Sequence, residues 1–306
     1  MSENKNMNVM KAKNLQTVSA TAQVGKVAYK ALTYAFLLVM ALIVVFPFYW
    51  MIISSLKELD EYKLAIPTFW PKRIMWGNYI SAFNTANLGT LFMNTMYVGV
   101  VSTALSLVIT VLSAFAFARL DFKGKEAMFG ALLATMMIPG ELFTITNYQT
   151  VNAFNNIPLL SWMGTHTFGV LIVPFLVSVF YIYLLRQNFL QIPNELYLAA
   201  KVDGCGDLKY LWKVMIPLAT PTLISITILK MMGAWNSYVW PRLVANDDAH
   251  AMITNGLRNA FTATTGDVDY PLQMAAVALV SAPLFLVFVF LRKYIMAGVS
   301  RSGIKG

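Results

Sequence analysis

Charge is missing from this sequence in blocks, and the blocks have the length of a membrane. Residues 31–53 carry no Asp, Glu, Lys or Arg, nor do 94–118, and the stretch 142–185 lacks them throughout. A helix rising ~1.5 Å per residue crosses ~30 Å of hydrocarbon with about 20 apolar residues. The first two blocks are therefore one span each. The third is long enough to contribute to two, and its polar middle (Asn152, Asn155, Asn156, Pro158) marks the loop between them. Charged residues make up 12% of the chain and hydrophobic ones 58%, against about 25% and 45–50% in soluble proteins. A disordered chain and an ordinary water-soluble domain are both excluded.

Backbone groups in lipid must pair within their own segment, so the spans are helices. The predicted fold is an all-α polytopic membrane protein with six transmembrane helices, at about 31–53, 94–118, 127–148, 168–185, 217–240 and 272–291. Pro47, Pro139, Pro174, Pro221 and Pro283 fall in or at the ends of five of them and predict a kinked bundle. A polar tail, 1–30, precedes the 31–291 six-span membrane region, the loop 186–216 joins spans four and five, and 292–306 forms a second tail. The N-terminal stretch is too polar, and the run behind it too long, for a cleavable signal peptide, so the first span is expected to stay as an anchor.

Lysine and arginine set the orientation. Sixteen of the 23 lie in the two tails and the loops after spans two and four; Lys57, Lys63, Lys72, Arg73, Arg242 and Arg258 lie on the other side, and Lys230 lies within span five. Both termini are thus expected in the cytoplasm. The net charge of +9 is explained by topology, which leaves nucleic-acid binding without support. Trp70, Trp76 and Tyr79 in the outer insertion suit a headgroup belt, with sugar stacking as the alternative.

Machinery for catalysis is missing. The one cysteine, Cys205, permits no internal disulfide and no cysteine-based zinc site, and the two histidines, His166 and His250, stand far apart in sequence. There is no HExxH, no Gly-x-Ser-x-Gly and no P-loop pattern. His166 has no partner visible in the sequence and reads as a loop or interface residue. No metal or cofactor is expected on this chain, and any ATP must be hydrolysed by another.

The loop 186–216 is the informative segment. Glu195 to Val202 favours a helix with Leu196, Ala199 and Ala200 on an apolar face. Gly204 after Asp203 suits a left-handed stop, and a second helix at about 207–215 leads to Pro217. Such a helix must bury its apolar side against the underside of the bundle or in a partner's groove. Lys230 lies ~20 Å beyond Pro217 at the helical rise. An ionisable group at that depth faces a wet cavity or a carbonyl or carboxylate partner, Glu141 being one candidate. Trp235, Asn236 and Tyr238 follow it, a mix that suits sugar contact or an interfacial belt.

On these residues the chain resembles the inner-membrane permease subunits of ATP-binding-cassette (ABC) importers, of the carbohydrate-uptake type represented by the maltose system. That family's loop pattern, E-A-A-x3-G-x9-I-x-L-P, falls on Leu198, Ala199, Ala200, Gly204, Val214, Ile216 and Pro217, with Leu198 in place of the glutamate. AFAFARLDFKGK (114–125), IPGE (138–141), LRQNF (185–189), WNSYVWPRLV (235–244) and AGVSRSGIKG (297–306) are similar to the same branch. The resemblance implies a bacterial cell-membrane subunit that works with a second related permease, two ATPase subunits holding ATP and Mg, and an extracytoplasmic solute-binding protein. It implies ATPase coupling through Glu195, Leu198, Ala199, Ala200, Asp203, Gly204 and Pro217, and a tail contact through Arg301 and Lys305. Lys230, Trp235, Asn236 and Tyr238 are candidates for the translocation path. The alternatives are a permease for a polyamine, amino acid or peptide, and a stand-alone channel or scaffold.

Overall fold

The computed structural model describes residues 2–262 and 268–300, with side chains over 29–261 and 268–292. Arg301 and Lys305 lie outside the described residues. Among those described, helix is the only regular structure. The chain divides into two units, residues 1–75 and 76–306.

In the first unit a single helix, α1 (Ser2–Ser55), carries the polar N-terminal stretch and the apolar run without a break, passing through Pro47. Its apolar part, Tyr29–Ser55, is exposed over nearly all of its length, as suits a helix whose side chains face lipid. After it, α2 (Leu59–Tyr62) opens the outer insertion. Lys57 is buried there, donates to the Thr68 carbonyl and lies 4.6 Å from the centre of the Trp50 ring. Burial pulls its pKa below the usual lysine value, and the charge of Glu61 opposes this in part. Glu61 in turn accepts from the Thr68 hydroxyl at 2.6 Å and from the Lys72 amide at 3.0 Å, so the insertion is tied by polar groups. Trp70 is exposed.

The second unit holds α3 (Gly77–Thr85), α4 (Leu88–Arg119), α5 (Lys125–Thr135), α6 (Thr144–Phe154), α7 (Phe168–Ile172), α8 (Val179–Leu190), α9 (Asn194–Val202), α10 (Asp207–Tyr210), α11 (Ile216–Leu218), α12 (Thr220–Trp235), α13 (Val239–Val244), α14 (Ile253–Thr262) and α15 (Tyr270–Ser300). α4 is the central element, packed against α8, α12 and α14. Its buried face is built from Gly99, Ser102, Thr103, Ser106, Thr110 and Ala114. Small residues let helices approach closely where lipid offers no hydrophobic drive. A Cβ on Gly99 would stand 3.3 Å from Met231 of α12. Two hydroxyls of α4 bond within the helix, Thr95 to Leu91 O at 2.8 Å and Ser102 to Gly99 O at 3.3 Å.

Among the described residues three helical stretches are long and apolar enough to cross a membrane unbroken: Tyr29–Ser55, Leu88–Arg119 and Tyr270–Arg292. The other segments expected as kinked spans are sharply broken pairs. Lys125–Thr135 and Gly140–Phe154 meet at 79°, Phe168–Phe175 and Val179–Leu190 at 43°, and Asp207–Leu218 and Thr220–Trp235 at 79°. Pro139, Pro174 and Pro221 lie at or near these breaks, where a missing N–H and a fixed φ interrupt the helical ladder.

Candidate functional site: a helix hairpin and a cavity

α9 and α10 form a hairpin whose turn is held by backbone hydrogen bonds. Pro193 precedes the first helical residue with φ −54° and ψ 135°. At the other end Gly204 takes φ +71°. Its amide donates to Lys201 O at 3.0 Å, and the Cys205 amide donates to Ala200 O at 2.8 Å. This is the Schellman arrangement, which satisfies the last carbonyls and requires a left-handed residue at the position Gly204 holds. Asp207, the first residue of α10, then staples the two helices. It accepts from the Tyr197 hydroxyl at 2.7 Å and from Lys201 Nζ at 2.6 Å. The hydrogen bond to Asp207 raises the pKa of Lys201, and burial, with the same carboxylate, raises that of Tyr197. The rings of Tyr197 and Tyr210 pack at 5.1 Å.

Expected as one helix, 207–215 is instead one α turn followed by a π turn, Leu211–Met215. Pro217 has no N–H to give the Lys213 carbonyl, and the backbone widens just before it.

The hairpin has two faces. Tyr197, Ala200, Cys205, Val214 and Ile216 pack against a core of Leu185, Phe189, Tyr210, Leu211 and Met215. Leu196, Leu198, Ala199, Val202, Leu208 and Trp212 are exposed, Val202 at 88%. Glu195, Asp203 and Pro217 are exposed as well. The apolar side chains are thus divided between a face packed on the bundle and an exposed face. At the root, buried Arg119 donates to Phe189 O at 2.9 Å and also to Ile192 O. Arg186 donates to Phe117 O at 3.1 Å and lies 4.1 Å from the centre of the Phe129 ring. Sequence reasoning counted both arginines only as topological charge.

Deeper in the unit lies a cavity of about 340 Å³ lined by Val98, Ser102, Phe175, Ser178, Tyr181, Lys230, Ser237 and Trp240, among others. Lys230 donates to the Phe175 carbonyl, at the end of the α7 segment, and not to Glu141. Its three companions from the sequence do not line this cavity. Trp235 is buried against Phe92, ring centres 5.4 Å apart. Asn236 is exposed and donates to Met232 O at 3.0 Å. The Tyr238 hydroxyl accepts from Arg258. Trp240 does line it, its indole N–H held by Val170 O at 3.0 Å.

Elsewhere the fold supplies His166 with a partner. Asp247 accepts from or bonds to both histidine rings, His166 Nδ1 at 3.0 Å and His250 Nδ1 at 2.7 Å. Burial pushes the Asp247 carboxyl upward, but the two histidine contacts outweigh it and the net shift is down. Among the described residues no group of three or more His, Cys, Asp or Glu side chains could hold a metal ion.

A bundle of apolar helices, some broken at prolines, with a rigid hairpin presenting an apolar face, defines an all-helical membrane component. The chain belongs to the family described as the binding-protein-dependent transport system inner membrane component, whose model matches residues 106–301. It is similar to the arabinooligosaccharides transport system permease protein AraQ of Halalkalibacterium halodurans, 29% identical over 87% of this chain and 93% of that one. It is also similar to the diacetylchitobiose uptake system permease protein NgcG of Streptomyces coelicolor, 27% identical over 89% of this chain and 88% of that one. A chain in the crystal structure of a bacterial ABC transporter that imports the acidic polysaccharide alginate shares the fold. Its TM-score is 0.77 at 21% identity, covering 87% of this chain and 96% of that one.

Proposed function

We infer that this chain is a permease subunit of an ABC importer that, with a second related permease, forms the path of a carbohydrate and converts closure of partner ATPases into alternating access. The carrying observation is the α9–α10 hairpin: apolar outward, rigid at its turn, and clamped at its root by Arg119. An exposed apolar helix face is a surface for a partner's groove, and a stiff lever lets closure elsewhere rotate a bundle about its hinges. Glu195, Leu198, Ala199, Ala200, Asp203, Gly204 and Pro217 form or flank this contact, with Arg301 and Lys305 of the tail reaching the same ATPase pair. ATP and Mg belong to the ATPases. The names of the relatives, arabinooligosaccharide and diacetylchitobiose systems, support a saccharide cargo delivered by a solute-binding protein.

In this reading the chain crosses a bacterial cell membrane six times, at about 31–53, 94–118, 127–148, 168–185, 217–240 and 272–291, with both termini and the hairpin in the cytoplasm. Affinity purification in mild detergent should bring down a second permease and ATPase subunits. In intact cells Asp248→Cys should be labelled by an impermeant maleimide and Lys209→Cys should not. A chain that purifies alone and conducts ions in a bilayer would refute the importer reading; labelling of Lys209→Cys from outside would refute the topology.

A further inference from the structure

Among the described residues Lys230 is a cation without a counter-ion. Among the described residues no aspartate or glutamate lines its cavity, and no carboxylate lies within ion-pair reach of its ammonium. Phe175 O takes one N–H direction, and the Tyr181 ring lies 6.0 Å away. A carbonyl satisfies a hydrogen bond but does not neutralise a charge. If the cavity only had to bond neutral hydroxyls, an amide side chain would supply donors without the cost of sinking a charge at membrane depth. The break between Phe168–Phe175 and Val179–Leu190 adds a second observation. Irregular backbone at such depth is tolerated where it lines a wet cavity, and here the carbonyl beside the break pins the ammonium. Ser102, Ser178 and Ser237 add hydroxyls to an otherwise apolar wall that includes Trp240. The volume, about 340 Å³, falls at the lower end of small-ligand pockets.

We propose that this cavity takes an acidic saccharide, with Lys230 as the counter-ion of its carboxylate. This rests on the carbohydrate-importer reading and names the cargo's charge class. The ammonium donates to the carboxylate oxygens with the two N–H directions that Phe175 leaves, while the serine hydroxyls and the Trp240 face meet the sugar ring.

The test uses the assembled importer in nanodiscs without its binding protein, so that the permease site alone is read. Two matched pairs of probes serve: digalacturonate with galactobiose, and cellobiouronic acid with cellobiose, each titrated against tryptophan fluorescence. At least one acid should bind ten-fold or more tightly than its neutral partner, a preference that weakens with salt. Lys230→Met should remove the preference by weakening acid binding far more than neutral binding, with the complex still assembled, and Lys230→Arg should retain it. Equal binding of acid and neutral sugar, or a preference that survives Lys230→Met, overturns the proposal alone. Binding of none of the four sugars by an intact complex overturns the carbohydrate reading with it. If Lys230→Met frees the second permease from the complex, the counter-ion is a carboxylate of that permease, and the proposal also fails.

Discussion

At the α9–α10 hairpin, apolar side chains stand out where nothing among the described residues covers them; at Lys230, a charge sits among mostly apolar walls. Val202 is 88% exposed, whereas Lys230 lines a cavity with Phe175 and Trp240. The two regions depart from the ordinary distribution of polar and apolar groups in opposite senses. An uncovered apolar helix face suits a protein partner that stays. A single half-buried charge suits a small, charged visitor that must also leave. The hairpin is correspondingly the stiffer construction, with its turn hydrogen-bonded and its root clamped, while the cavity borders a broken helix.

Substitutions can break this contrast, and the largest effect should come from the turn. Gly204→Val forces a β-branched residue to φ +71°, a strain of ~1–3 kcal/mol. No neighbour lies within 4 Å of the added Cβ, so the damage is to the turn and not to packing. Uptake by reconstituted importer should be lost while the binding protein still retains its solute. Undiminished uptake would show that the turn is not part of the lever.

Val202→Asp should come next and separate partner docking from folding. The side chain touches little of its own chain, so thermal stability in detergent should move by less than about 0.5 kcal/mol, yet copurified ATPase should fall several-fold. Equal loss of stability would mean that the face is covered by this chain itself.

A smaller effect is expected from Tyr197→Phe, which removes one hydroxyl bond to Asp207 at a cost of about 1 kcal/mol. ATPase activity should persist but respond less to loaded binding protein, because the hairpin is looser. Leu198→Ala should be milder still, lowering ATPase recovery by less than half, since the side chain is exposed and stands where the family carries glutamate.

The smallest effect is that of pH on the staple. Lys201 and Tyr197 are both shifted upward from 10.5 and 10.0. A raised pKa in either group means stability present below the unfolded value and lost as pH rises through the folded one. ATPase recovery should therefore be flat from about pH 6 to 9 and decline only above that window. A drop centred near neutrality would place the controlling group outside this staple.

The uncharged blocks of the sequence determined where the apolar helices lie, because hydropathy over about 20 residues is a local sum that needs no partner. Gly204 was legible for a similar reason: a glycine just past an amphipathic helix is a local stop signal, and the structure gives it a positive φ. What only the tertiary structure decided depends on contacts remote in sequence. The sequence marked Lys230 as deep but could not select the Phe175 carbonyl over Glu141. Nor could it send Trp235 into the core against Phe92 while turning Trp240 to the cavity, since both lie in one aromatic run. Asp247 meets His166 across 81 residues and His250 across three, and Arg119 reaches carbonyls some 70 residues away. A polar group in or near a membrane takes the nearest available partner, and which partner is nearest is fixed by the angles at the helix breaks. Prolines announce those breaks; their size and direction come only from how the broken helices pack.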